Sequence, residues 1–125
     1  MKYVGLWLDH KKAVVVKLDK NKETTEKKFS KLSPLDKTRH ISRVAPKKHE
    51  ERREHIISKF YNDVLKMIRT TDKVFLMGPG IAKKEFKIFL KQQRFLGKVQ
   101  MSNADKMTDR QVAAQTRDFF GLGTH

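Results

Sequence analysis

A chain of 125 residues has room for one domain with a modest core. Its 29 Lys and Arg against 14 Asp and Glu give a formal charge of +15 and an isoelectric point near 10.2, so its natural partners are polyanions, nucleic acid first and an anionic membrane second. The absence of Cys excludes disulfides and thiolate zinc sites and fits a reducing cytoplasm, and the longest apolar runs, such as Ala13 to Val16, are far too short for a membrane span or a signal-peptide core.

The chain begins directly as a strand, Tyr3 to Leu8, where large apolar residues alternate with small or mixed ones. Asp9-His10-Lys11-Lys12 is polar and turn-like, and Ala13 to Leu18 is a β-branched run, so the two strands predict an antiparallel hairpin. After a second turn, Glu23 to Ser30 reads as a weaker strand whose lysines and glutamates suit an exposed edge. Lys31 to about Lys48 has no period, holds Pro34 and Pro46, and carries several basic residues. A loop this long in a small domain is functional or disordered; with few side chains to bury, it is expected to be mobile in the free protein.

From about His49 the pattern turns helical, with Ile57, Phe60, Tyr61, Val64, Leu65 and Ile68 on one stripe. Glu50, Glu51 and Glu54 fall in its first turns, where the helix dipole favours negative charge. Val74 to Met77 reads as a strand buried on both faces, ended by Gly78-Pro79-Gly80. Ala82, Phe86, Phe89, Leu90 and Gln93 then recur at helical spacing, with lysines opposite. Gly97 to Met101 is a shorter strand. Thr108-Asp-Arg-Gln111 is a capping box opening a helix that Gly121 and Gly123 end. The order is β-β-β-loop-α-β-α-β-α, an α/β chain whose first strand and last two can lie parallel through right-handed crossovers. Ligands bind such sheets at the strand C-termini.

Three motifs invite chemistry and fall short of it. Gly78-Pro79-Gly80 precedes a helix N-terminus that can hold phosphate, but position 83 is Lys where a dinucleotide fingerprint needs Gly, and no Gly-Lys-Ser/Thr follows. A plain strand-to-helix turn is the better reading. His49-Glu50 begins a zinc-helix motif, but position 53 is Arg, and His49 and His55 do not share a helix face. Trp7, Tyr3, Phe29 and Tyr61 can stack on bases, yet all but Phe29 fall on apolar periods that predict core packing.

The ordered set Val4-Gly-Leu-Trp-Leu-Asp-His10 into Ala13-Val-Val-Val16, Phe75-Leu-Met-Gly-Pro-Gly80 with Phe86, and Lys106-Met-Thr-Asp-Arg-Gln-Val-Ala113 to Phe119-Phe-Gly121 resembles the central domain of archaeal and eukaryotic peptide-chain release factors and of Pelota. More specifically, it resembles small stand-alone bacterial relatives, the translational machinery proteins. The resemblance spans nearly all of residues 1–125, read as one domain. It implies a mixed five-stranded sheet of order 3-2-1-4-5 with the second strand antiparallel and three helices. This is the fold of ribosomal proteins L-eighteen and S-eleven, related to ribonuclease H. It also implies association with ribosome or tRNA. In release factors the loop before the first long helix carries the Gly-Gly-Gln that hydrolyses peptidyl-tRNA. The matching stretch Arg43-Val-Ala-Pro-Lys-Lys-His-Glu-Glu-Arg-Arg53 has neither Gly nor Gln, so the hydrolytic role is not carried over. The ribonuclease-H likeness raises a metal-holding carboxylate at Asp9, with Asp72 and Asp105 as partners. All three have local turn or cap readings, and their spacing forms no convincing cluster.

The sequence therefore reads as a non-catalytic, cytoplasmic RNA-binding protein in translation, contacting ribosomal RNA or tRNA, with no metal and no cofactor. Its contacts are expected from Arg39, Arg43, Lys47, Lys48, Arg52 and Arg53. A second patch is expected from the helix lysines Lys83, Lys84, Lys87 and Lys91. The alternative is a protein-interaction or stress-adaptor module whose charge serves solubility; a metal-dependent nuclease is a third class.

Overall fold

The computed structural model describes residues 1–20, 22–32 and 46–121, with the backbone alone for 46–49. Its elements are β1 (Lys2–Leu8), β2 (Lys12–Asp19), β3 (Lys22–Phe29), α1 (Pro46–Ile68), β4 (Lys73–Gly78), α2 (Ala82–Gln92), β5 (Lys98–Asn103) and α3 (Asp109–Phe119). The strands hydrogen-bond in the order β3-β2-β1-β4-β5. β2 is antiparallel to β1 and β3, while β4 is parallel to β1 and β5. This is the mixed α/β sheet with three helices that the sequence predicts.

The three central strands are buried on both faces, which is why β2 and β4 read as apolar runs; β1, read as alternating, is buried on both faces as well. On one face α1 and α2 lay Phe60, Val64, Leu65, Ile68, Phe86 and Leu90 over Leu6, Leu8, Val15 and Leu76. On the other, Val112 and Ala113 of α3 join Trp7, Val14, Val16, Phe75 and Met77. Each fully buried side chain of this size contributes roughly 1.5–3 kcal/mol. At the edges the strands open to solvent, and β3 carries the lysines and glutamates that discourage strand addition.

Close approach of helix to sheet depends on one residue. A Cβ on Gly5 would lie 1.6 Å from Thr116 Oγ1, so α3 sits on β1 only because position 5 has no side chain. Thr116 is fully buried, and its hydroxyl donates to Val112 O at 2.7 Å within the helix. The predicted capping box is present: Thr108 Oγ1 accepts from Gln111 N, and Gln111 Oε1 accepts from Thr108 N.

The start of α1 corrects the sequence reading. The helix begins at Pro46 and not near His49, so Lys47 and Lys48 are helical residues. Proline is well suited to a first helical position, where its missing N–H has no intrahelical partner to lose. Residues 33–45, with Arg39 and Arg43 and most of the expected mobile loop, lie outside the described residues.

Candidate functional site

The C-terminal ends of the parallel strands β1 and β4 open into a cleft of about 460 Å³ between α1 and α2. Each of its polar groups is placed by a neighbouring element. His10 follows the last residues of β1 in the hairpin turn, where Asp9 Oδ1 accepts from Lys11 N and Lys12 N. Asp9 is thereby a turn residue of the ordinary kind. Gly78, at φ 148, ends β4; a Cβ there would strike Leu8 O at 2.2 Å. That contact brings the end of β4 against β1 and directs α2 toward His10. Glu85 then stands in the first turn of α2, and Arg53 and Tyr61 come from α1.

These four side chains form one hydrogen-bonded chain. His10 Nε2 lies 2.7 Å from Glu85 Oε1, and Arg53 Nη2 lies 3.4 Å from His10 Nδ1. A single neutral tautomer satisfies both contacts, with Nε2–H donating to the carboxylate and Nδ1 accepting from the guanidinium. Tyr61 donates to Glu85 Oε1 at 2.9 Å. Burial, and next the hydrogen bond to Glu85, hold the Tyr61 hydroxyl well above the usual tyrosine range, so it stays a donor. Among the described residues, Arg53 Nη1 is buried without a hydrogen-bond partner.

Chemically, this is a positioning network. Both imidazole nitrogens are engaged, and the phenol is held protonated as a donor. Glu85 occupies the positive end of the α2 dipole, and the turn at Gly78-Pro79-Gly80 is closed by Lys83 Nζ, which donates to Gly80 O. Asp72 accepts from Lys2 N at 2.7 Å, at the opposite end of β1 from Asp9. A seven-residue strand spans roughly 20 Å, so these two carboxylates cannot share a metal. Among the described residues no group of three His, Cys, Asp or Glu side chains could hold one.

The fold has known counterparts. No protein-family model matches the chain, and no curated protein matches it significantly in sequence. Pelota of Thermoplasma acidophilum aligns with 98% of the chain at a TM-score of 0.63 and 13% identity. Pelota of Archaeoglobus fulgidus aligns with 95% at 0.57 and 13%, and the archaeal translation termination factor aRF1 with 97% at 0.53 and 13%. Identities this low establish a shared fold. The chain spans 35% of the length of each Pelota and 40% of aRF1.

Within this Pelota-like fold the expected contact residues separate. Lys84, Lys87 and Lys91 are exposed on one stripe of α2, as predicted. Lys83 departs from that stripe: it is 3% exposed, and its Nζ donates to Gly80 O at 2.8 Å. The spacing carries the reason, because Lys83 stands three residues before Phe86 and seven before Leu90, on their inward face. Arg52 is exposed on α1, whereas Arg53 is half-buried and turned to His10. Lys47 and Lys48 lie in the first turn of α1. Trp7 and Tyr61 are core residues and Phe29 is 61% exposed, in line with their periodicity. The His10–Glu85 pair escaped the sequence reading, since its members are 75 residues apart. The available signal was topological: both sit just after parallel strands, at the edge where such sheets bind ligands.

Proposed function

We propose that the chain is a non-catalytic RNA-binding protein of translation, acting in the cytoplasm on ribosomal RNA or tRNA. The observation that carries the reading is a stripe of exposed lysines without ion pairs on α2. Toward β3, Lys17 pairs with Glu26, Lys27 with Asp109, Lys28 and Lys59 with Asp63, and Arg117 with Glu23. On α2, Lys84, Lys87 and Lys91 make no ion pair with any described carboxylate. Surface pairs add little stability; among the described cations without an ion pair, which also include Lys66, Arg69, Lys73 and Lys98, the lysines of α2 stand together on one exposed stripe. A polyanion gains most there through release of its counterions.

The proposed contact set keeps Arg39, Arg43, Lys47, Lys48 and Arg52 from the sequence reading, with Lys84, Lys87 and Lys91 on α2. Lys83 and Arg53 leave it, one buried and the other committed to the cleft. The likeness to Pelota and to a translation termination factor supports a role in translation without fixing the RNA. Binding of the purified protein to ribosomes and to tRNA at low salt, sensitive to ribonuclease, tests the reading. No affinity for either would favour the adaptor alternative.

A further inference from the structure

The α1–α2 cleft has the opposite character to the molecule around it. In a chain of net charge +15, three carboxylates, those of Glu50, Glu54 and Glu85, line this one cavity. Glu85 is held by His10 and Tyr61. Glu50 and Glu54 are exposed one turn apart on α1, and neither makes an ion pair with another described residue. Like charges at this spacing repel. The facing wall is apolar and open: Ile81 is 59% and Ile88 58% exposed. At the floor, Arg53 Nη1 is a buried donor with no acceptor, which a bound group can supply.

These features select one class of occupant. A phosphate meets three carboxylates and is repelled. A purely apolar ligand covers the isoleucines and leaves the acids and the guanidinium unanswered. A polypeptide segment answers all of them. Its aliphatic side chain covers Ile81 and Ile88, its Lys or Arg reaches Glu50 and Glu54, and a main-chain carbonyl accepts from Arg53. The cleft volume, about 460 Å³, lies within the roughly 300–1,000 Å³ of pockets that hold ligands. We propose that the cleft between α1 and α2 docks a basic, aliphatic-bearing segment of a partner protein. Glu50 and Glu54 read its charge, the pair Ile81 and Ile88 receives its apolar side chain, and Arg53 holds its backbone. The acids of the cleft on α1 and the lysines proposed for RNA on α2 belong to different helices, with Ile88 one turn from Lys84 and Lys91, so different substitutions test the two readings.

The test uses the whole chain and three fluorescent probes: a short peptide of alternating lysine and leucine, its counterpart with glutamate for lysine, and a single-stranded RNA. At about 0.15 M salt the field of distant charges is screened beyond roughly 8 Å, so the cleft's own acids decide. The lysine peptide is expected to bind the wild type better than the glutamate peptide. E50K/E54K should reverse that preference, weakening the lysine peptide on the order of tenfold or more. Ile88→Ser should weaken both peptides. These three positions are exposed, so the variants keep their circular dichroism. Equal binding of the two peptides, or a preference unmoved by charge reversal, would overturn the proposal. So would RNA that displaces the lysine peptide and loses affinity in Ile88→Ser, which would make the cleft a nucleobase pocket.

Discussion

Tyr61 shows how a single buried hydroxyl ties the site to stability. It belongs to the apolar stripe of α1 and packs against Phe86 with ring centroids 5.4 Å apart, yet its oxygen reaches Glu85. Tyr61→Phe keeps the ring and removes the donor, and a hydrogen bond to a charged group is worth about 1.5–3 kcal/mol. The pH dependence carries a sign. The unfolded phenol releases its proton near the ordinary value of 10.0, while burial and Glu85 keep the folded one protonated. Above about pH 10 the unfolded state therefore binds fewer protons than the folded state, and stability falls as pH rises. Below that pH Tyr61 adds no slope. Urea midpoints of the wild type should drop more steeply than those of Tyr61→Phe across this alkaline range. Equal slopes would mean that the hydroxyl is not held as described.

At the scale of elements, the seat of α3 on β1 is the most sensitive contact. Gly5→Ala drives a methyl into Thr116, and overpacking of a filled core costs about 1–3 kcal/mol. An unfolding free energy lowered by that amount, read from a lower denaturation midpoint, is expected; an unchanged midpoint would show that the helix has room to shift. The strands β2 and β4 were legible in the sequence because two-sided burial leaves continuous apolar runs, and β1 because its large apolar residues alternate with small or mixed ones. The cap of α3 was legible to the residue, because Thr108 and Gln111 satisfy each other within one turn. The start of α1 was not, since Pro46 reads equally as a loop residue and as a first helical residue. Lys83 was misread as surface because its charge was weighed above its spacing from Phe86 and Leu90. The His10–Arg53–Glu85–Tyr61 network was invisible for a different reason. Its members come from three parts of the chain, the β1–β2 turn, α1 and α2, and the parallel pairing of β1 with β4 brings the turn and α2 to the same edge.

The whole molecule combines a Pelota-like sheet, a stripe of exposed lysines on α2 and a polar network of His10, Arg53, Glu85 and Tyr61. Neither release of peptide from peptidyl-tRNA nor cleavage of nucleic acid is expected from it; turnover abolished by Asp9→Asn or by changes at His49 would contradict this. The central claim is that the basic face binds RNA through phosphates. Such binding releases counterions, so log affinity should fall linearly with log salt at roughly 0.7–0.9 per phosphate neutralised. Four to six contacts then weaken binding on the order of a hundredfold or more between about 50 and 200 mM salt. The direct measurement is the salt dependence of affinity for ribosomes and tRNA, for the wild type and for a variant with Lys84, Lys87 and Lys91 changed to Ala. These side chains are exposed, so the fold is kept. The account predicts a lower affinity for the variant and a slope reduced by about 2–3. Wild-type affinity that is absent at low salt, or a slope the three substitutions leave unchanged, would contradict it.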